Sequence, residues 1–284
     1  MSDATGARTL EATAPTRSDA ADGTGGDRIL VVADVHKHFG GIRAVQGATL
    51  DVKRGSVTGL IGPNGAGKTT LFHLITGFVR AEHGDVRYDG ASIVRLPPYK
   101  IARRGLVRTF QLTKTLAAMS VLDNVLLAAP DQPGERLTGL VTRPGTARRR
   151  EREWRERAFE LLEIFKLRDK ADHYAGTLSG GQRKLLELAR ALMLQPRLVL
   201  LDEPMAGVNP SLGRQLLEHM QTLRADLGVT FVFIEHDMEV VMGHADRVVV
   251  MAQGQVIAEG APAAVRKDQR VIDAYLGEAS GRPT

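Results

Sequence analysis

The residues Gly62-Pro-Asn-Gly-Ala-Gly-Lys-Thr69 form a glycine-rich segment between an apolar run that ends at Ile61 and a helical pattern that begins near Lys68. Glycines let main-chain amides surround an anion without interference from Cβ atoms. The positive end of the following helix dipole attracts the same anion. A strand, a glycine-rich loop and a helix in this order predict a phosphate-binding loop, against the alternative of a coincidental glycine-rich turn.

The side chains that end this loop indicate which ligands it takes. Lys68 is expected to reach the β- and γ-phosphates of a bound nucleotide, and Thr69 to ligate Mg²⁺. A nucleotide and Mg²⁺ are therefore the expected ligands of the loop. The residues predicted to contact the nucleotide here are Gly62, Pro63, Asn64, Gly65, Ala66, Gly67, Lys68, Thr69 and Thr70.

Two acids, Asp202 and Glu203, follow an apolar run at residues 198–201 that has the length of a buried strand. Asp202 is expected to hold Mg²⁺ through water. Glu203 is expected to polarise the water that attacks the γ-phosphate. Acids after a strand are also common as plain surface residues, and it is the phosphate-binding loop in the same chain that favours the catalytic interpretation.

Strand and helix patterns alternate in the last third of the chain, with strand-like runs at residues 198–201, 229–235 and 247–251. Such alternation predicts a parallel α/β sheet. His236 follows the second run, and open α/β sheets bind ligands at the carboxyl ends of their strands. We therefore expect His236 to lie near Asp202 and the phosphate-binding loop, and not to be only a structural or solvated histidine.

A second anion site is predicted at Leu178-Ser-Gly-Gly-Gln182, directly before another helical pattern. Ser179 can cap that helix, while Gly180 and Gly181 expose main-chain amides at its positive end. A simple loop with a helix cap is the alternative interpretation of this segment.

The chain resembles the ABC ATPase family over about residues 29–276. This resemblance implies ATP hydrolysis to ADP and phosphate by an α/β fold, in which a RecA-like P-loop NTPase core carries an antiparallel β subdomain and a helical subdomain. The motifs that carry the resemblance, in the family's order, are the phosphate-binding loop, Gln111, residues 178–182, Asp202 with Glu203, and His236.

The resemblance also implies functions for single residues. Phe39 looks like the aromatic residue that stacks on adenine, Gln111 like the lid glutamine that senses Mg²⁺ and the γ-phosphate, and His236 like the histidine that contacts the γ-phosphate. A second ATPase subunit, in a homodimer or a heterodimer, would hold the ATP that this chain contacts through Ser179, Gly180, Gly181 and Gln182. Asn209 departs from the commonest family form, which has aspartate at that position.

A narrower resemblance points to the Liv-type ATPases of branched-chain amino acid importers. It implies integral-membrane permease subunits and a periplasmic or extracellular substrate-binding protein as partners, with the chain at the cytoplasmic face of the membrane. The segments that carry it are Phe39-Gly-Gly-Ile-Arg-Ala-Val45, Leu74-Ile-Thr-Gly-Phe78, residues 102–111, Met205-Ala-Gly-Val-Asn-Pro210, and residues 256–260 and 271–277.

Other functions remain as alternatives. ATPases of urea and short-amide importers and of lipopolysaccharide export resemble the same segments. A soluble ABC ATPase that acts on ribosomes or DNA is disfavoured by the single phosphate-binding loop and by the lack of a sustained heptad run. A nucleotide-binding module without turnover is disfavoured by Glu203, since a degenerate site would most simply lose that acid.

Composition limits the possible partners. The chain has no cysteine, which excludes disulfides and thiolate metal sites. No apolar run approaches the roughly 18 residues that a membrane span needs, so a peripheral association is expected. The formal net charge is +5, and residues 95–114 carry basic residues without an acid. That stretch is interpreted as a solvated surface or as a face near anionic lipid or a partner. Nucleic acid is not an expected partner, because few aromatic residues interleave with the charges.

The expected domain organisation is a disordered tail at residues 1–27, an ABC ATPase domain at 28–279 and a C-terminal tail at 280–284. The first segment is rich in Ala, Thr, Gly and Asp and has little apolar surface to bury. A helical subdomain is expected at about residues 97–180, with a loop at 130–145. A helix is predicted at residues 68–78, and another is predicted to begin at Pro210.

Overall fold

The computed structural model describes residues 27–109, 115–130 and 144–279 of the 284-residue chain. Residues 1–26 of the predicted tail, Gln111, residues 131–143 of the predicted loop and residues 280–284 lie outside these ranges. The predictions made for those residues stay predictions.

The elements follow the chain from an N-terminal pair of long strands to a C-terminal helix. The strands are β1 (Arg28–Phe39), β2 (Ile42–Lys53), β3 (Val57–Ile61), β4 (His83–Tyr88), β5 (Ala91–Ser92), β6 (Leu106–Arg108), β7 (Leu198–Asp202), β8 (Thr230–Ile234), β9 (Arg247–Ala252) and β10 (Gln255–Gly260). The helices are α1 (Lys68–Ile75), α2 (Pro98–Arg103), α3 (Val121–Leu126), α4 (Pro144–Ile164), α5 (Gly180–Met193), α6 (Pro210–Leu227), α7 (Met238–His244), α8 (Pro262–Val265) and α9 (Gln269–Ala279).

A six-stranded sheet in the order β10-β9-β3-β8-β7-β6 forms the centre of the molecule. Every pairing from β9 to β6 is parallel, while β10 pairs antiparallel with β9 at one edge. The strands β3, β8 and β7 are buried at every residue, which explains their continuous apolar composition. The predicted parallel α/β sheet is therefore confirmed.

A four-stranded antiparallel sheet in the order β2-β1-β4-β5 is joined to this centre through α1. Leu71 and Phe72 of α1 belong to one buried cluster with Val32 and Val45 of the antiparallel sheet and with Ile234 of β8. Helix α1 is thus packed against both sheets, which fixes the position of the loop that precedes it.

A second buried cluster joins the helices α3, α4 and α5 to the six-stranded sheet. It contains Val125 of α3, Ala158 of α4 and Leu188 of α5 together with Leu201 and Phe231 of the sheet. The range 97–180 for the helical subdomain stays a prediction. It also contains β6, a short strand that the sequence pattern did not indicate and that pairs with β7.

Two element boundaries differ from the sequence predictions. Helix α1 ends at Ile75 and not at residue 78, because the Thr76 hydroxyl donates to the Phe72 carbonyl at 2.6 Å and Gly77 turns the chain with a φ of +74°. A left-handed glycine is a common helix stop. Helix α4 begins at Pro144, so the predicted loop at 130–145 is wrong at its end, where proline is favourable as the first helical residue.

Within the part of the chain that the structure describes, no helix is both long enough and apolar enough to cross a bilayer.

We expect the substitution Phe233→Ala to lower the free energy of unfolding by about 3–5 kcal/mol, because it leaves a cavity in the middle strand of the sheet. The Phe233 side chain is 0% exposed, whereas that of Phe78 is 51% exposed. Phe78→Ala is therefore the matched control and should cost less than about 1 kcal/mol. Urea unfolding followed by circular dichroism measures both, and equal losses would contradict this description of the core.

Candidate active site

Three of the sequence-predicted motifs meet at one edge of the six-stranded sheet. The phosphate-binding loop follows Ile61 at the end of β3, Asp202 is the last residue of β7, and His236 comes two residues after β8. Because β8 lies between β3 and β7 and all three strands are parallel, their carboxyl ends are neighbours. This edge is where open α/β sheets place their ligands.

Two glycines of the phosphate-binding loop are required by close backbone approaches. Gly62 has a φ of +147°, and a Cβ atom there would lie 2.0 Å from the Met251 carbonyl oxygen. Gly67 has a φ of +95°, and a Cβ atom there would lie 2.2 Å from the Ala44 carbonyl oxygen. Both distances are shorter than any tolerable contact, so the tertiary packing of β2 and β9 fixes the shape of the loop.

Lys68 lies across its own loop. Its ammonium group donates to the carbonyl oxygens of Gly62 at 2.6 Å and Pro63 at 2.8 Å, and the residue is 6% exposed. Helix α1 begins after Gly67 with no side-chain cap and no acid in its first turn. A buried cation and an uncapped positive helix end therefore face the same concave loop, which is the arrangement that binds an anion.

Asp202 is held by a residue whose function the sequence analysis missed. Its Oδ2 atom lies 2.5 Å from Nη2 of Arg108, and the two side chains are 0% and 6% exposed. The Arg108 guanidinium also lies 5.9 Å from the ring centroid of Phe72 in α1. Arg108 was predicted to belong to a solvated or partner-facing basic stretch, and that prediction is wrong for this residue. The apolar residues Leu106 and Val107, directly before Arg108, were the signal in the sequence that it could be buried.

The other carboxylate oxygen of Asp202, Oδ1, is buried and has no hydrogen-bond partner among the described residues. Burying an unpaired polar atom is costly, and such atoms in folded proteins usually mark a ligand or water position. The sheet edge thus offers one acidic oxygen to which no described residue donates, close in the fold to the phosphate-binding loop.

Glu203 is turned towards His236 by its backbone. Its φ is +48°, in the left-handed region that non-glycine residues rarely adopt, and its amide donates to the Ile234 carbonyl at 3.1 Å. Its Oε1 atom lies 2.7 Å from Nε2 of His236, with the two side chains 19% and 47% exposed. The two residues that the sequence placed after different strands are thus in direct contact.

The segment at residues 178–182 forms the predicted capped helix start. The Ser179 hydroxyl accepts from the Gln182 amide at 3.2 Å, and the Gln182 side-chain oxygen accepts from the Ser179 amide at 3.1 Å. Ser179 and Gly180 are exposed, and a Cβ atom at Gly180 would meet nothing within 4 Å. The helix end is therefore open to another molecule.

Two predicted residues lie apart from this contact network or outside the described chain. Phe39 ends β1 and is 47% exposed, with the Lys37 ammonium 5.3 Å from its ring centroid. Gln111 lies outside the described residues, and the last described residue before it, Thr109, donates its amide to the Leu200 carbonyl.

A family model described as "ABC transporter" matches residues 45–206, which is more than half of the chain. This chain belongs to the ABC transporter family. As an ABC ATP-binding subunit, it binds ATP and hydrolyses it for a transporter. A second model, described as "Branched-chain amino acid ATP-binding cassette transporter", matches residues 255–280 of this ABC protein.

Individual relatives agree with the family assignment. The "Probable branched-chain amino acid transport ATP-binding protein LivG" of Archaeoglobus fulgidus is 43% identical over 250 residues, which are 88% of this chain and 96% of that protein. A crystal structure of the ADP conformation of an ATP-binding cassette of an ABC transporter has a TM-score of 0.76 and 40% identity, covering 88% of this chain and 99% of that chain. A dimeric ATP-binding cassette in a post-hydrolysis state with ADP and phosphate has a TM-score of 0.67 and 25% identity, covering 82% of this chain and 98% of that chain. The predicted P-loop NTPase fold is confirmed.

We expect Lys68→Ala to remove most of the thermal stabilisation that Mg-ATP gives to this ABC protein. The reason is that the variant lacks the cation that faces the phosphate-binding loop. A bound ligand stabilises a protein by about 2.7 kcal/mol at a hundredfold excess over its dissociation constant. Lys53→Ala, at an exposed lysine at the end of β2, is the control. Melting curves with and without Mg-ATP measure the shift, and an undiminished shift in Lys68→Ala would place the nucleotide elsewhere.

Proposed function

We propose that this chain powers the uptake of branched-chain or similar amino acids through separate integral-membrane permease subunits. The observation that carries this proposal is the match of residues 255–280 to the branched-chain amino acid model. These residues form β10, α8 and α9 and lie outside the range that the general ABC transporter model matches. The name of the LivG relative supports the same substrate class.

ATP is held by the phosphate-binding loop in this mechanism. Lys68 exchanges its contacts with the Gly62 and Pro63 carbonyls for the β- and γ-phosphates, while the amides at the start of α1 bind the remaining phosphate oxygens. The other loop residues and Thr70, in the first turn of α1, shape this cradle, and Phe39 at the exposed end of β1 stacks on the adenine.

The residues at the sheet edge also fit Mg²⁺. The unpaired Oδ1 of Asp202 and the hydroxyl of Thr69 are hard oxygen donors, and Gln111 is proposed to join them. The described residues contain no cluster of three or more His, Cys, Asp or Glu that could hold a metal. Mg²⁺ in nucleotide sites takes only one or two protein groups and otherwise binds phosphates and water. When bound, Mg²⁺ neutralises charge that develops on the phosphates.

Glu203 is the proposed general base. Its carboxylate is partly exposed at the carboxyl edge of the sheet, and the hydrogen bond with His236 limits the directions that it can take. From there it accepts a proton from the water that attacks the γ-phosphate. His236 lies on the neighbouring strand end and contacts the γ-phosphate in the same state, so that the pair responds to whether that phosphate is present.

A second ATPase subunit completes the site. The capped start of α5 is exposed at Ser179 and Gly180 and offers main-chain amides to an anion, with Gly181 and Gln182 beside them. We propose that this anion is the γ-phosphate of ATP on the second subunit, in a homodimer or a heterodimer. The dimeric ATP-binding cassette in the post-hydrolysis state supports this arrangement. The complex would lie at the cytoplasmic face of the membrane, with a substrate-binding protein on the other side.

We expect Glu203→Gln to retain ATP binding and to lower hydrolysis by about 10² to 10⁴, the range typical for loss of a general base. Glu151→Gln, at an exposed acid of α4, is the matched control and should hydrolyse at the rate of the unchanged protein. Phosphate release and nucleotide binding are measured on the same preparations. Hydrolysis by Glu203→Gln within threefold of the unchanged rate would exclude Glu203 as the base.

The substrate is tested by uptake in cells that lack this chain. We expect the uptake of labelled leucine, isoleucine and valine to fall, and to return when the unchanged gene, but not its Glu203→Gln form, is supplied. Urea and short amides are measured beside them. Loss of urea or amide uptake with unchanged amino acid uptake would overturn the proposed substrate while leaving the ATPase activity intact.

A further inference from the structure

The main chain directly after the acidic strand is held by a lysine from another element. Nζ of Lys184 donates to the carbonyl oxygens of Glu203 at 3.4 Å and Pro204 at 3.1 Å, and also to that of Ala206. We call residues 203–206 the base-bearing turn, because they begin with Glu203, the proposed base, whose backbone is left-handed. One ammonium group thus binds three of the four carbonyls of the base-bearing turn.

Glu235, the residue directly after β8, holds the same turn from its amide side. Oε1 of Glu235 accepts from the Met205 amide at 2.8 Å, and Glu235 is 6% exposed. Burial raises the pKa of this carboxyl, while hydrogen bonds from the main-chain amides of Met205 and His236 lower it. The base-bearing turn is therefore fixed by a cation on its carbonyls and by an acid on the Met205 amide.

Burying the Lys184 ammonium there costs hydration, which its hydrogen bonds to the carbonyls have to offset. Burial lowers its pKa, although Glu235, Glu187 and Glu203 oppose that shift. A half-buried ammonium needs several acceptors to offset its lost hydration, and charge-assisted hydrogen bonds are about twice as strong as neutral ones. With three carbonyl acceptors, the Lys184 ammonium fixes the position of the base-bearing turn relative to α5.

Lys184 also belongs to the helix that presents the second anion site. It lies in the second turn of α5, two residues after Gln182, which closes the capping box with Ser179. The start of α5 and the base-bearing turn are thereby joined by one side chain. A displacement of the α5 start would therefore change the contacts between Lys184 and the carbonyls of the base-bearing turn.

We propose that Lys184 is a positioning residue for ATP hydrolysis. It connects the start of α5, which meets the nucleotide of the second subunit, to the base-bearing turn, which directs Glu203 at the nucleotide of this chain. The inference rests on the proposed functions of Glu203 and of residues 179–182. It adds a direct route by which closure on one nucleotide sets the base for the other. Glu235 supports this route by holding the opposite side of the turn.

The first experiment compares Lys184→Met, which keeps the length of the side chain without its charge, with Lys184→Arg, which keeps a donor. We expect kcat of Lys184→Met to fall about 10- to 100-fold, the effect of a misplacement near 1 Å. Its dissociation constant for ATP should stay within about twofold, because Lys184 does not belong to the phosphate-binding loop. Lys184→Arg should recover most of the rate, and Lys267→Met, at an exposed lysine after α8, should match the unchanged protein.

The second experiment asks whether Lys184 acts through Glu203. In a Glu203→Gln background, the added Lys184→Met change should lower the single-turnover rate by less than about twofold, because residues that act as a unit are not additive. A purely structural contribution would instead lower the rate in both backgrounds by the same factor. Should Lys184→Met fail to fold in melting curves, Lys184→Gln replaces it in both comparisons.

The outcomes separate this inference from the proposed function. An unchanged kcat in Lys184→Met, or full additivity with Glu203→Gln, would overturn the inference while Glu203→Gln alone still stops hydrolysis. Hydrolysis that persists in Glu203→Gln itself would instead remove the proposed base and the inference with it.

Discussion

The parallel pairing of β3, β8 and β7 is the constraint on which the rest of the site depends. Parallel strands must all end at the same edge, so residues more than 130 positions apart in sequence, such as Lys68 and Glu203, are brought to one surface. The strands can pair in this way only because helices cover both faces of the sheet and bury it. Two clusters do so, with α1 on one side and the α3–α5 helices on the other. The packing that buries the sheet therefore also brings the candidate catalytic residues together at one edge.

The buried pair of Arg108 and Asp202 shows that bringing these residues together costs free energy of hydration. Two charges removed from water lose hydration that their attraction only partly replaces, so such a pair is weak evidence of stability. It does fix geometry, since the guanidinium holds one carboxylate oxygen and leaves the other without a partner among the described residues. A carboxylate arranged in this way is directed towards a ligand by its own neighbour. Arg108 thereby connects the edge strand β6, the acidic strand β7 and, through Phe72, the helix α1 that carries Lys68.

In the turn after β7, residues from elsewhere in the fold fix the main chain, just as Arg108 fixes the side chain of Asp202. Glu203 adopts a left-handed backbone, which costs free energy that surrounding contacts must supply. Lys184 and Glu235 supply such contacts from two other elements, one to the carbonyls and one to an amide. In the proposed mechanism two subunits close around the nucleotide, so the position of Glu203 has to respond to that closure. A helix start that is exposed on the surface and tied to that turn meets this requirement.

Local interactions form the parts of this protein that could be predicted from its sequence. The strand that ends at Ile61, the helix start after Gly67 and the capping box of Ser179 and Gln182 depend on residues close together in the chain, and the structure has all three. The sequence also showed the glycines of the loop between Ile61 and Lys68, but the packing of β2 and β9 fixes the shape of that loop. The alternation of strands and helices similarly indicated the parallel sheet. Only the tertiary structure decided the partners of Arg108, Lys184 and Glu235, and the pairing of β6 with β7. Those contacts join residues separated by up to 94 positions, as between Arg108 and Asp202, and a single lysine or arginine has the same local pattern whether it is solvated or buried. Which of the two it becomes depends on packing, because only a folded neighbour can replace the water that a buried charge loses.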